Sequence, residues 1–244
     1  TQLLDSQIPV NSTIIDKTID LCIVGSAYSK FTRCTEEFEK TKRLNIPYIS
    51  ATEYLSQNLI QSESIVVAGT YGKTTTTCLL SFLFTKLNLN PNYFFGGQSV
   101  DALPSLLFNK SIWSIIEGDE SVNGLDTEAK FLNYRPKYLI LTSAQWEHKE
   151  SYPTAEDNFN AFKKLIELLP PDGILVYNPN DSEVLRLLPF SQATNIAYHS
   201  FKFETSLIGQ HNQENICAVL TLIQSLNLDL PKSIKLIKDF HGVS

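Results

Sequence analysis

Methionine is missing from all 244 residues, position 1 included, a composition that predicts a fragment or processed product rather than a complete translation unit. No apolar run approaches the roughly 20 residues needed to span a bilayer, and no basic segment with a following apolar core opens the chain. These absences exclude membrane insertion and predict a soluble globular protein of the cytoplasm. Cysteine is sparse, and Cys22, Cys34, Cys78 and Cys217 form no CxxC pair, which predicts buried free thiols rather than disulfides or a thiolate metal site. Positive charge is in deficit, with 20 Lys and Arg against 26 Asp and Glu. The resulting net charge of −6 argues against a broad nucleic-acid surface but leaves room for a local phosphate site. What is present is 43% hydrophobic residues, enough to give one large domain or two modest ones a proper core.

The stretch Ser64-Ile-Val-Val-Ala-Gly-Thr-Tyr-Gly-Lys-Thr-Thr-Thr-Thr77 joins an apolar, β-branched run to a helix through a turn that contains two glycines. Ile65 to Ala68 read as a buried parallel strand and Lys73 to Lys86 as the helix after it. Gly69 and Gly72 let the backbone turn and approach a ligand closely. The free amides of the helix N-terminus and its dipole attract an anion, Lys73 adds a point charge, and the Thr74 hydroxyl can ligate Mg²⁺. Gly-Lys-Thr by itself occurs by chance, but a strand before it and a helix after it supply the context that phosphate binding requires. The full pattern GxxxxGK[ST] fails because Val67 stands where its first glycine belongs, and GTxGKTT remains.

Elsewhere strands and helices alternate. Leu21 to Gly25 and Pro47 to Ile49 read as strands, Thr35 to Leu44 as a helix, and Ser50 with Glu53 as a capping box opening another at Ala51. Gln61 to Glu63 mark a boundary between a small α/β unit and a larger one whose continued alternation predicts a doubly wound, mostly parallel sheet. Helix 73–86 is apolar nearly all round and so should be buried on both sides. Gly96 and Gly97 are either plain turn glycines or sites of close approach to a ligand. A strand from Ser111 to Ile116 delivers Glu117-Gly-Asp-Glu120 to its carboxyl end, the edge where open α/β sheets bind ligands. Three acidic residues there, beside a phosphate loop, point to a metal site. Tyr138 to Thr142 form a further strand that ends in Ser143-Ala-Gln-Trp-Glu-His148, although a lone histidine is more often structural than catalytic. Thr154 to Leu169 read as an amphipathic helix, Gly173 to Tyr177 and Asn195 to His199 as strands, and Gly209-Gln-His-Asn-Gln-Glu-Asn215 as the start of a last long helix, where side-chain amides are ordinarily caps.

Together these phrases resemble the Mur ligase family, the ATP-dependent enzymes that join amino acids or peptides to a UDP-muramyl carboxylate in peptidoglycan synthesis and recycling. GTYGKTT is similar to the family's GTHGKTT, with Tyr71 in place of histidine, and Glu117-Gly-Asp-Glu120 is a family form as it stands. The segment ending at His148 resembles Thr-Asn-x-Glu-x-Asp-His, with Ser143, Gln145 and Glu147 as departures. Gly209-x-His-Asn-x-x-Asn215 has the family spacing, and Val24-Gly-Ser-Ala-Tyr-Ser29 resembles a segment that lies near the UDP moiety.

The resemblance implies a P-loop-type sheet in a central ATP-binding domain at 61–244, preceded by a partial Rossmann-like UDP-binding domain at 1–60. By the same resemblance these 244 residues are expected to lack the family's C-terminal ligase domain, and the isolated chain is expected to be inactive. The implied cofactors are ATP and Mg²⁺. Gly69, Thr70, Gly72, Lys73, Thr74 and Thr75 would surround the phosphates, with Asn212 and Asn215 on the adenine side. Thr74 and Glu117 would hold one Mg²⁺ and His148 a second ion beside an acyl phosphate, which makes Lys73 and His148 the catalytic pair. Ser26, Gly96, Gly97, Asp119 and Arg135 would meet the acid substrate. Lys163 stands where some members carry a carbamylated lysine, or else belongs to a solvated face. Lys130-Phe-Leu-Asn-Tyr-Arg-Pro136 is similar to the branch that joins UDP-N-acetylmuramate to L-alanyl-γ-D-glutamyl-meso-diaminopimelate. An L-alanine-adding ligase, a homologue that binds nucleotide without catalysis, and a P-loop NTPase or kinase outside the family are the alternatives.

Overall fold

The computed structural model describes residues 15–126, 128–147 and 149–244. A small unit comes first, with β1 (Cys22–Val24), α1 (Thr32–Arg43), β2 (Tyr48–Ser50) and α2 (Ala51–Leu59). Its two strands pair in parallel. α1 starts ahead of the expected Thr35, and an Arg33–Glu37 ion pair at 3.0 Å, one turn apart, supports its first turn. Ser50 ends β2 and caps α2, its hydroxyl accepting from the Glu53 N–H at 3.0 Å. α2 also packs on the larger unit, because Leu59 is fully buried in the core of that unit's sheet.

The larger unit contains β3 (Glu63–Ala68), α3 (Lys73–Lys86), β4 (Asn92–Phe94), β5 (Leu106–Leu107), β6 (Trp113–Gly118), β7 (Tyr138–Leu141), α4 (Ala155–Glu167), β8 (Ile174–Tyr177), α5 (Ser182–Leu187), β9 (Thr194–Ala197), α6 (Gln210–Ser225) and α7 (Leu230–Leu236). Its seven strands lie in the order β5-β4-β6-β3-β7-β8-β9 and are parallel except for β5, which runs antiparallel at one edge. The doubly wound, mostly parallel sheet is therefore present, with α3 spanning the residues the sequence indicates. β6 extends further than expected, through Glu117 and Gly118, and holds Glu117 in register beside Val67 of β3. β4, β5, α5 and α7 escape sequence reading: the strands are only three and two residues long, α5 only six, and α7 carries Pro231 in its first turn beneath the Asp229 cap.

Side-chain alternation along β3 divides the core. Ile65 and Val67 face α3 and α6, whereas Val66 and Ala68 face the side carrying Leu59 of α2 and Phe162, Leu165 and Ile166 of α4. A strand buried on both faces reads as an unbroken apolar run, as this one does. α3 is buried at every position from Thr76 to Phe84. α4 starts with a complete capping box, in which Thr154 Oγ1 accepts from the Asp157 N–H and the Asp157 carboxylate accepts from the Thr154 N–H. Thr154→Ala is expected to cost about 1 kcal/mol in urea-induced unfolding, and an unchanged midpoint would mean the box adds nothing. Among the described residues no helix is long and apolar enough to cross a membrane. The four cysteines are unbridged thiols, of which Cys78 and Cys217 are buried and Cys22 and Cys34 only partly so.

Candidate functional site

From β3, at the centre of the sheet, the chain winds first to one side through β4, β5 and β6 and then to the other through β7, β8 and β9. The reversal leaves a crevice at the carboxyl ends of β6, β3 and β7, where a doubly wound sheet takes its ligand. Gly69 to Gly72 form the turn that opens into it. Gly69 has φ 138°, and a Cβ there would press on Thr142 Oγ1 and stand 2.8 Å from the Ser143 amide nitrogen. Gly72, the residue before α3, has φ 80°, and a Cβ there would lie 2.5 Å from Asn215 Oδ1. Both positions thus need glycine for conformation and for space. The turn is tied to the end of β7 by three bonds: Thr142 Oγ1 donates to Tyr71 O at 2.6 Å, the Tyr71 N–H donates to Ser143 Oγ at 3.1 Å, and Thr70 Oγ1 donates to Gln145 O at 2.7 Å.

Lys73 curls back over this turn. Its ammonium donates to Gly69 O at 2.7 Å and lies 2.8 Å and 3.1 Å from the two carboxylate oxygens of Glu120, whose side chain is only 1% exposed. An arriving phosphate would compete with oxygens already gathered around the cation. One residue further on, Thr74 Oγ1 donates to Glu117 Oε1 at 2.8 Å, and the Gly96 N–H donates to Glu117 Oε2 at 2.7 Å. Mg²⁺ takes oxygen ligands at about 2.1 Å in an octahedron, which puts neighbouring oxygens roughly 3 Å apart. The Thr74–Glu117 oxygen pair has that spacing and fits such an ion. Among the described residues no three His, Cys, Asp or Glu side chains gather into a metal cage.

Two cavities flank the turn. One of about 290 Å³ is lined by Thr70 to Thr75 and Glu117. The other, of about 560 Å³, shares Tyr71, Gly72 and Thr75 and continues past Ser143, Asn178, Asp181, Tyr198 and Asn215. Their continuity suits a phosphate chain in the first and a nucleoside in the second. Tyr71 is half exposed between them, and its hydrogen bond with Glu147 pushes the phenol up from its ordinary value. A third cavity of about 210 Å³ lies where the small unit meets the sheet, lined by Ser26, Thr52, Gly96, Glu117, Asp119 and Lys130 among others. Lys130 Nζ lies 2.6 Å from Asp119 Oδ2 and 2.9 Å from Ser121 Oγ. Burial works to raise the Asp119 carboxyl, but Lys130 and Ser121 outweigh it and hold it below the ordinary range.

Of the residues singled out from sequence, Thr70, Gly72, Lys73, Thr74, Thr75, Glu117 and Asn215 converge on the first two cavities, and Ser26, Gly96 and Asp119 on the third, while Gly69 sits beneath the turn against Thr142 and Ser143. Gly97 sits behind, against the Thr74 methyl. Asn212 buttresses Asn215 with a 3.3 Å bond, while His211 and Glu214 line the cavity instead. Arg135 does not join them. It precedes β7, and its carbonyl accepts from Ser64 Oγ near the start of β3, roughly 13 Å of strand from the turn. Lys163 is also elsewhere, 4.3 Å above the Phe190 ring and 3.9 Å from Glu167. His148 lies outside the described residues. Sequence reading missed the pairing of Glu120 with Lys73, of Lys130 with Asp119, and the part of Thr142 and Ser143. Each stood in a phrase the sequence marks, Glu120 at the end of the acidic run, Lys130 at the start of the run to Pro136 and Thr142 and Ser143 at the end of a strand, but no phrase names a partner.

A model of the Mur ligase middle domain matches residues 67–198. The UDP-N-acetylmuramate–L-alanine ligase of Borreliella burgdorferi is 32% identical over 93% of this chain and 52% of its own length. That of Wigglesworthia glossinidia brevipalpis is 27% identical over 96% and 53%. The chain therefore spans about half the length of the curated relatives it matches. Among solved structures, the UDP-N-acetylmuramate:L-alanyl-γ-D-glutamyl-meso-diaminopimelate ligase from Neisseria meningitides superposes with a TM-score of 0.83, at 21% identity, over 96% of this chain and 83% of that one. UDP-N-acetylmuramate–alanine ligase from Thermotoga maritima gives 0.77 at 23% identity, over 97% and 58%.

Proposed function

Because this chain belongs to the Mur ligase family, we propose that it is the ATP-binding and acid-activating part of a ligase that joins UDP-N-acetylmuramate to a peptide through an acyl phosphate. The observation that carries this reading is the convergence of Lys73, Thr74 and Glu117 at the mouth of one glycine turn. In the proposed first step a carboxylate oxygen of the acid attacks the γ-phosphorus of ATP and ADP leaves. In the second the amine attacks the acyl carbon and phosphate departs, forming the amide. Lys73 and the free amides opening α3 neutralise charge on the transferring phosphoryl group. Thr74 and Glu117 would hold Mg²⁺, which would supply Lewis-acid withdrawal of charge from the phosphate. Asn215, with Asn212 behind it, would bound the nucleoside, and Ser26, Gly96 and Asp119 the acid substrate. His148 keeps its proposed place beside the acyl phosphate on the strength of the motif.

The amine is the finer point. Lys130 to Pro136 favours the tripeptide, and the names of the curated relatives favour L-alanine. The test of the amine is a mixture of ATP, Mg²⁺ and UDP-N-acetylmuramate with either amine, run with this chain, which is expected to be inactive alone, and with a version extended through the family's C-terminal ligase domain, read by ADP release and by mass spectrometry of the product. ATP that binds without Mg²⁺ dependence would overturn the reading. Glu117→Gln should lower the gain in ATP affinity that Mg²⁺ confers by about tenfold or more, measured by calorimetry with Mg²⁺ and with chelator. A variant with the wild-type gain would remove Glu117 from the cation site.

A further inference from the structure

We infer that Asp101 and His241 are positioning residues for the cation site, an inference that rests on the proposed binding of ATP with Mg²⁺. Residues 98–101 run antiparallel to residues 241–244. The Val100 N–H donates to Gly242 O at 3.0 Å, the Ser244 N–H donates to Gln98 O at 2.9 Å, and Ser99 pairs with Val243. One end of this ribbon is closed by a side chain. Asp101 Oδ2 accepts from the His241 N–H at 2.9 Å, and Asp101 Oδ1 lies 2.6 Å from His241 Nδ1. The strand carrying His241 is itself anchored, since Phe240 is fully buried with its ring 5.5 Å from that of Phe82 on α3, and its carbonyl accepts from Ser206 Oγ at 2.7 Å.

The other end of the ribbon runs straight into the site. Gln98 comes directly after Gly96 and Gly97, and the Gly96 N–H is the group that holds Glu117 Oε2. Gly97 is wedged beside the same oxygens, for a Cβ on it would stand 3.0 Å from the Thr74 methyl and 3.7 Å from Val243 Cβ. An N–H that fixes one carboxylate oxygen decides where the other points, here toward Thr74 Oγ1. The ribbon therefore sets both members of the oxygen pair from one side, and Asp101 closes the ribbon. Without that carboxylate the ribbon loses the two bonds that close it at His241 and is held by the backbone bonds of Val100 and Ser244 alone. Gly96 then moves and Glu117 recovers rotamer freedom. The amides and ammonium that grip phosphate lie on β3 and α3 and are not altered.

This predicts a split between two binding measurements. Nucleotide affinity is measured by calorimetry with ATP in saturating Mg²⁺ and again in EDTA, for the wild type, Asp101→Ala, His241→Ala and the double variant. In Asp101→Ala the affinity gain due to Mg²⁺ should shrink by about tenfold while affinity in EDTA stays within about twofold. His241→Ala should reproduce the direction, and because it keeps the backbone N–H that Asp101 accepts from, it stands in if Asp101→Ala does not fold. The double variant should be no worse than Asp101→Ala, since the two side chains act as a unit. A folded single variant with the wild-type Mg²⁺ gain overturns the inference, as does an equal loss with and without Mg²⁺, which would mark a general structural role. A wild type that ignores Mg²⁺ would instead defeat the ATP–Mg²⁺ reading itself, and the ribbon's role with it.

Discussion

Lys73→Ala is expected to lower ATP affinity in the presence of Mg²⁺ by about two orders of magnitude, since one charge-assisted hydrogen bond to phosphate is worth about 1.5–3 kcal/mol and the ammonium makes more than one. The same substitution has a second effect. Lys73 and Glu120 form a nearly buried ion pair, and taking away the ammonium removes the positive charge that lies 2.8 Å from a carboxylate only 1% exposed. Breaking such a pair destabilises the fold by about 3–5 kcal/mol in comparable cases. Weak binding by the single variant would therefore be open to a trivial explanation. The double variant Lys73→Ala/Glu120→Gln separates the two effects, because it removes both charges and should regain most of the stability without regaining affinity. Calorimetry and urea unfolding on the three proteins decide it. Binding by the double variant within a few-fold of wild type would show that phosphate is held by the amides alone.

Gly69→Ala should be as damaging through geometry alone. An alanine at φ 138° is strained, and its Cβ meets the Thr142 hydroxyl and both backbone polar atoms of Ser143, none of which is the far end of a flexible chain. Strain and overpacking together should cost about 2–4 kcal/mol. The bonds by which Thr142 and Ser143 hold the turn are the ones displaced, so ATP binding should fall with stability. Gly25→Ala is the control, because a Cβ there has nothing within 4 Å. A Gly69→Ala protein that unfolds at the wild-type urea concentration and binds ATP normally would mean the turn relaxes at little cost.

The parts of the site that were legible in the sequence are those whose context is local. A strand, a turn with two glycines and a helix succeed one another within residues 64–77, so the phosphate loop declares itself and the bounds of α3 with it. Glu117 was legible because β6 had to end near it. The rest depends on which elements become neighbours. Lys73 finds Glu120 across 47 positions and Thr70 finds Gln145 across 75, and no periodicity reports such pairings. Arg135 was misplaced for a reason the sequence does contain: a residue just before a parallel strand sits at the amino edge, and ligands gather at the carboxyl edge. Lys163 fits the solvated face that was its other expected role. It lies eight residues along α4 from Ala155, about 12 Å of helix, which brings it to Phe190 rather than to the turn.

The burial of α3 on all sides bears on affinity. A helix packed between a sheet and α6, with no exposed side from Thr76 to Phe84, has little freedom left to lose when a ligand docks at its first turn. The amides that would meet phosphate are thus already ordered before the encounter, and folding rather than binding has met the entropic cost of aligning them. Tightness at this site is then governed by how readily the Lys73 ammonium exchanges protein oxygens for phosphate oxygens. Ordering of the backbone contributes little.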